Sequence, residues 1–467
     1  MTARKSANQR LRMLLAEADW TGQQLARAVN AVAAENGIQV RYDRTSVAHW
    51  LSGSLPRPRV RPFAAEALSR RLRRTITLLD LGWAPLAGPA DPNEQPDWPV
   101  DSVARLAHVC KTDADPTQGP RLHWSVYQAG DAAMPEWHTP TARVHAVAAD
   151  SVPDAVELAA TVLGTAIPFF SAALEVGGAH ARTALAAYLG NDVSAWLHTI
   201  DLRTQSGPMA TETARLLYLL ARMHIDDAHE GLAQQYFRIA FDLAAATGDL
   251  TTQAVVLRAM SSQAGALRHV RQCLALIERA CALLPDEAPA GVHAFVGSQL
   301  AVARAQAGQP FAARTALRRA EIFYQDDAER RDEKRDAPAD FHTYGAAAWH
   351  FQRGRTLAAL GEQASAADAF RTSLAHRSPL SRRARALTLA ALTRLLLQAG
   401  HVEEACATYR ELLGQDPRPR SARTQQALVD LKRRLRPFSK NRAVKNLLDE
   451  LDQTGRSPTN ERLSRPA

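Results

Sequence analysis

The chain has 467 residues, enough for two or three domains with separate cores. Ala, Leu and Arg dominate and β-branched or aromatic runs are scarce, so an all-α fold is expected. The net charge is +9, and the four cysteines (Cys110, Cys273, Cys281, Cys406) form no C-x-x-C pair, which speaks against a zinc finger or a disulfide framework.

The charge is concentrated. Residues 1–83 hold fourteen Lys and Arg against six Asp and Glu, so this small module carries most of the surplus. Leu11, Leu14, Leu15 and Ala18 recur at helical spacing and predict a first helix over 6–18. Thr21 is a good N-cap for a second, carrying Leu25, Ala26, Val29 and Val32, and Asn36-Gly37 stops it. A third helix is expected over 44–51, with Val47, Trp50 and Leu51 facing inward and Gly53 as its stop. Pro56-Arg57-Pro58-Arg59 then leads to a fourth helix over 61–74, and 76–81 should complete the core.

Thr21, Leu25-Ala26, Val47, Trp50, Gly53 and Pro56 together make this module similar to the phage-repressor/Cro type of helix-turn-helix. Residues 31–43 make the link between the two helices longer than in the compact family pattern, either as extra turns of helix or as a loop. The resemblance implies a reader of double-stranded DNA whose third helix enters the major groove. Arg44, Thr45, Ser46 and His49 would then face base edges, and Arg41, Arg57 and Arg59 would meet phosphates. Thr21 would set the N-terminus of the second helix against a further phosphate. Operators read by this motif are usually bound by two-fold dimers, so a homodimer is expected.

Residues 84–100 hold five prolines and read as a linker. Residues 101–208 are expected to be a helical connecting region, partly irregular, and 452–467 a disordered tail. No apolar run of about 18 residues is apparent, so no membrane span and no secretion signal are expected.

Residues 209–451 carry an internal repeat. Gly308/Ala313/Leu317, Gly361/Ala366/Phe370 and Gly400/Ala405/Tyr409 share one spacing, and Ala233/Phe237 and Cys273/Ile277 are copies that lack the Gly. The anchors at 233, 273, 313, 366 and 405 are separated by 40, 40, 53 and 39 residues. The long interval holds a charged insertion, 326–336, expected as an exposed loop or helix extension. Small residues at the anchor let two antiparallel helices approach, and an aromatic or Leu one turn later fills the gap to the next pair. This pattern resembles the tetratricopeptide repeat, which implies an α-solenoid. The basic cluster from Lys432 to Lys445, interleaved with Leu431, Leu435 and Leu447, reads as a capping helix.

A helix-turn-helix head followed by such a body resembles the peptide-sensing regulators of Gram-positive bacteria and the actinobacterial developmental regulators. That resemblance implies a cytoplasmic, nucleoid-associated transcription regulator whose body dimerises and senses a peptide or protein. Arg222, Gln263, Arg304, Trp349 and Gln352 are the candidate groove residues. The rival expectation is a protein-interaction scaffold whose head does not read DNA. Catalysis has little support: there is no G-x-x-x-x-G-K-S/T loop and no H-E-x-x-H. His138 with His145, and His342 with His350, lack the spacing of metal-ligand pairs on one helix face, so no metal and no cofactor are expected.

Overall fold

The computed structural model describes residues 7–83, 102–129, 154–198, 207–333, 344–414 and 421–454, and among them there is no β-strand. The fold is all-α. The chain divides into two compact units, residues 1–174 with 178–288, and residues 175–177 with 289–467.

The first unit opens with α1 (Gln9–Glu17), α2 (Gly22–Glu35), α3 (Arg44–Leu51) and α4 (Arg61–Leu72). Leu11, Leu25, Val29, Val47, Trp50, Phe63, Leu68, Ile76, Leu81 and Trp83 form their common core. Each fully buried aliphatic or aromatic side chain there stabilises the module by about 1.5–3 kcal/mol relative to exposure. The two ends of the module are tied together by Asn8. Its carboxamide oxygen caps α1 at Leu11 N, and its Nδ2 donates to Leu81 O at 2.8 Å. Gly82 sits beside it at φ +72°, where a Cβ would come within 2.9 Å of Asn8 Oδ1, so only glycine closes this corner.

The unit continues with α5 (Ser102–Ala114), α6 (Gly119–Leu122), α7 (Asp154–Gly177), α8 (Ala179–Tyr188) and α9 (Ser194–His198), the last two joined by a π-helical turn. Two helical hairpins follow: α10 (Gly207–Asp226) with α11 (Glu230–Ala246), and α12 (Leu250–Ala266) with α13 (Val270–Leu283). Residues 123–129 lie between the N-terminal module and these hairpins. Val126 enters the module's core, Tyr127 Oη donates to Gln272 Oε1, and Gln128 N donates to Gln234 Oε1.

The second unit holds α14 (Ala290–Gln306), α15 (Pro310–Glu333), α16 (Ala346–Ala359), α17 (Gln363–Ala375), α18 (Arg382–Ala399), α19 (Val402–Leu413), α20 (Ala422–Leu435) and α21 (Arg442–Thr454). The charged insertion is a continuation of α15 as far as Glu333. In α20 and α21, Leu431, Leu435 and Leu447 are buried, while Lys432 pairs with Asp452 and Arg433 and Arg434 pair with Asp430. These cations lie on the outer face of a cap, as the Leu spacing suggests.

One turn geometry recurs in both units. Ala228, Arg268, Gly308, Gly361 and Gly400 all have φ between 63° and 84°. In each case the next residue donates its N–H back over five positions to close the helix, as in His229 N to His224 O and His401 N to Leu396 O. Five residues after each turn stands a fully buried anchor: Ala233, Cys273, Ala313, Ala366 and Ala405. The Gly-less copies therefore keep the left-handed turn with Ala228 and Arg268. Close helix approach is visible at Gly354, where a Cβ would lie 2.8 Å from the Phe370 ring.

α7 corrects the expectation drawn from apolar runs. Glu157–Gly177 is long and apolar enough to cross a membrane by length and composition, with 33% of its apolar window buried. Thr161, Gly164, Thr165 and Ser171 interrupt the apolar letters without introducing a charge, which hid the stretch. Leu158, Val162, Phe169 and Val176 are exposed along it.

Candidate nucleic-acid interface

The placement of α3 follows from local chemistry at both of its ends. Asp43 is its N-cap: Ser46 N donates to Asp43 Oδ1 at 2.9 Å, and Ser46 Oγ donates to the same oxygen at 2.8 Å. Those bonds hold the Asp43 carboxyl below its ordinary range, the backbone bond from Ser46 contributing most. At the other end Gly53, at φ 94°, lets Ser54 N reach back to His49 O. The long link between α2 and α3 is both of the alternatives at once. α2 continues to Glu35, and 36–43 form a loop. Asn30 clamps that loop: its Nδ2 donates to Tyr42 O and its Oδ1 accepts from Tyr42 N, both at 2.9 Å.

α2 and α3 meet closely because Gly22 has no side chain; a Cβ there would touch Val47 Cγ1 at 3.4 Å. Val47 and Trp50 are buried, and Trp50 packs edge-on against Tyr42 and Trp83. The opposite face of α3 presents Arg44, Thr45, Ala48 and His49 to solvent. Arg41 lies before the helix and Arg57 after it, both exposed. The side chains of Arg41, Arg44 and Arg57 have no ion pair or hydrogen bond among the described residues. A polar face flanked by free cations can meet both base edges and phosphates.

Three of the expected site residues already have partners within the protein, Thr21 as the N-cap it is expected to be. The Ser46 hydroxyl is spent on Asp43, so it is a capping residue rather than a free donor for a base. Thr21 is exposed, with its hydroxyl in a reciprocal capping box with Gln24. Arg59 is exposed, and its guanidinium lies 4.1 Å from the centre of the Trp124 ring, a cation–π contact with the 123–129 segment.

Three further arginines of the module, at the end of α4, are internal fasteners. Arg70 donates to Glu66 Oε1 at 2.7 Å, to Glu35 Oε2 at 2.9 Å and to Tyr127 O at 3.2 Å. Burial pushes the Glu66 carboxyl up in spite of Arg70. For Glu35 burial acts in the same sense, but the bond from His269 and the charge of Arg70 outweigh it and hold the group low. Arg71 donates to Ala18 O and Arg74 pairs with Glu17. Within this triad only Glu66 and Arg70 stand at helical i,i+4 spacing; Glu35, the Asn30 clamp and the Trp124 platform join residues on different elements, so sequence spacing gives no sign of them.

The five candidate groove residues are divided between the two units. Arg222 and Gln263 belong to the first unit, and Arg304, Trp349 and Gln352 to the second. Gln263 is buried and donates to Glu230; Gln352 is buried and donates to Gln299. Trp349 is buried, stacked on Tyr324 with ring centres 5.1 Å apart. These three are packing residues, because amphipathic first helices of each pair turn such side chains inward as readily as outward. Arg222 lies over the Tyr218 ring, and Arg304 is half-buried. His138, His145 and His342 lie outside the described residues, and His350 stacks on His376. All four cysteines are free thiols.

Residues 11–84, which span this module, match the family model described as the SP15 N-terminal domain. No curated protein and no solved structure matches the chain.

Proposed function

We propose that the chain is a sequence-specific DNA-binding transcriptional regulator, with α1–α4 as a helix-turn-helix head and the helical hairpins as a tetratricopeptide-like body. The observation that carries this reading is α3: a short, firmly capped helix whose outer face offers Arg44, Thr45 and His49 between the unpaired cations Arg41 and Arg57. Arg44 is the residue to which we assign bidentate recognition of guanine, and His49 reads from the same face. The recurring left-handed turns, with a buried anchor five residues on, support the repeat assignment. In this reading the body dimerises and senses a peptide or protein. Its ligand surface must be built from side chains other than Gln263, Trp349 and Gln352. The working location is the cytoplasm, on the nucleoid.

The test is binding of the full chain to a library of short duplexes across a range of salt concentrations. The expected result is selection of a defined operator, with two half-sites for a dimer, and an affinity that falls steeply with salt as counterions are released. Weak binding that ignores sequence would instead favour a scaffold that does not read DNA. A single half-site footprint from a monomer in sedimentation would remove the dimer from the reading.

A further inference from the structure

Four polar residues from distant parts of the first unit meet in its interior. Asp113 stands at the end of α5, His123 just past α6, His224 near the end of α10, and His229 at the N-cap of α11. A ring nitrogen from each of His123, His224 and His229 lies within 4.8 Å of one from each of the others. Asp113 Oδ1 is 2.7 Å from His123 Nε2, and Asp113 Oδ2 is 2.9 Å from both His224 Nε2 and Tyr236 Oη. One buried carboxylate thus accepts from two imidazoles and a phenol.

The hydrogen bonds set the tautomers. His123 and His224 donate through Nε2 to Asp113, so in the neutral rings Nδ1 carries the lone pair. His229 Nδ1 accepts from Arg182 Nη1 at 3.0 Å, so it too carries a lone pair. In these neutral tautomers His224 Nδ1 and His229 Nδ1 face one another at 3.4 Å as two acceptors. Two nitrogens held about 2.1 Å from a tetrahedral ion are themselves separated by about 3.4 Å.

We propose that His123, His224 and His229 are the ligands of a divalent transition-metal ion of the zinc class, with Asp113 as the carboxylate that orients two of the three rings. Imidazole-rich ligand sets suit such ions, and a carboxylate behind the ligating histidine is their usual support. On binding, the ion takes the lone pair of His229 from Arg182, which stays with Asp227. The ion fastens the α5–α6 segment to the α10–α11 turn, one residue from Trp124.

The full chain, stripped with a chelator and titrated with Zn²⁺ or Co²⁺, tests this. The expected result is one equivalent per chain, a raised unfolding temperature with Zn²⁺, and visible absorption with Co²⁺. His229→Gln and His123→Gln, at partly exposed positions, abolish the one-to-one binding while leaving the metal-free circular dichroism unchanged. Asp113→Asn leaves only one good acceptor and weakens binding by about 10–100-fold. The proposal is overturned if the folded wild-type chain takes up no equivalent, or if both histidine variants bind the ion as tightly as wild type.

Discussion

Two groups of arginines in the N-terminal module have the same composition and opposite fates. Three at the end of α4 are consumed, Arg70 by Glu35 and Glu66, Arg71 by a backbone carbonyl, and Arg74 by Glu17, while Arg73 among them stays exposed. Those around α3 (Arg41, Arg44 and Arg57) stand exposed, their side chains without a partner among the described residues. A count of basic residues treats both groups alike. Only the second can exchange water and counterions for a phosphate or a base, and only the first holds the fold together.

The sharpest way to break this comparison is to exchange the consequences. Arg70→Ala leaves the buried Glu66 without its ion-pair partner and Glu35 with His269 alone, and should destabilise the chain by about 3–5 kcal/mol in denaturant titration. Without the guanidinium the Glu66 carboxyl, which burial already holds above its ordinary value, is pushed higher still. The penalty is then full at neutral pH and shrinks as the pH falls toward the ordinary Glu value of 4.5. Arg44→Ala should do the reverse. It leaves the unfolding midpoint unchanged and costs about 1–3 kcal/mol of discrimination at one base pair.

Arg41→Gln and Arg57→Gln should weaken binding to all sequences alike, each lowering the log–log salt slope by about 1. Arg59 sits between the two groups, exposed but resting on Trp124. Trp124→Ala removes a cation–π contact of about 0.5–1 kcal/mol and frees Arg59. If Arg59 can then reach phosphate, the salt slope steepens with base preference unchanged; an unchanged slope would confine Arg59 to its structural contact. The smallest effect belongs to the hairpin turns. Arg268→Gly relieves a left-handed backbone that costs a non-glycine residue roughly 1–2 kcal/mol, less the extra freedom glycine gains when unfolded. A modest rise in unfolding temperature is expected.

What could be read from the sequence was local. Thr21, Asn36-Gly37, Gly53 and the apolar spacing of 11–18 act within a few residues of themselves, so the four helices and their inner faces were legible. The repeat was legible for the same reason, because its signal is a turn and an anchor five residues apart. The α2–α3 link was not, because a clamp from Asn30 to Tyr42 fixes it. Ser46 was read as a base contact because its hydroxyl is at the right end of the helix; the Asp43 carboxylate, three residues earlier, claims it. Gln263, Trp349 and Gln352 are not legible as buried because α12 and α16 are each covered on more than one side by neighbouring helices, which blurs the inner and outer faces. The histidine cluster has no local sequence signal, because His123 and His224 lie on separate elements and are joined by Asp113 on a third.

The central claim is that the outer face of α3 reads base sequence. Its most direct test is selection from a random duplex library by the wild-type chain and by Arg44→Ala. The account predicts a defined motif for the wild type and relaxation of a guanine-containing position in the variant. No motif from the wild type, or an identical motif from both, would contradict it.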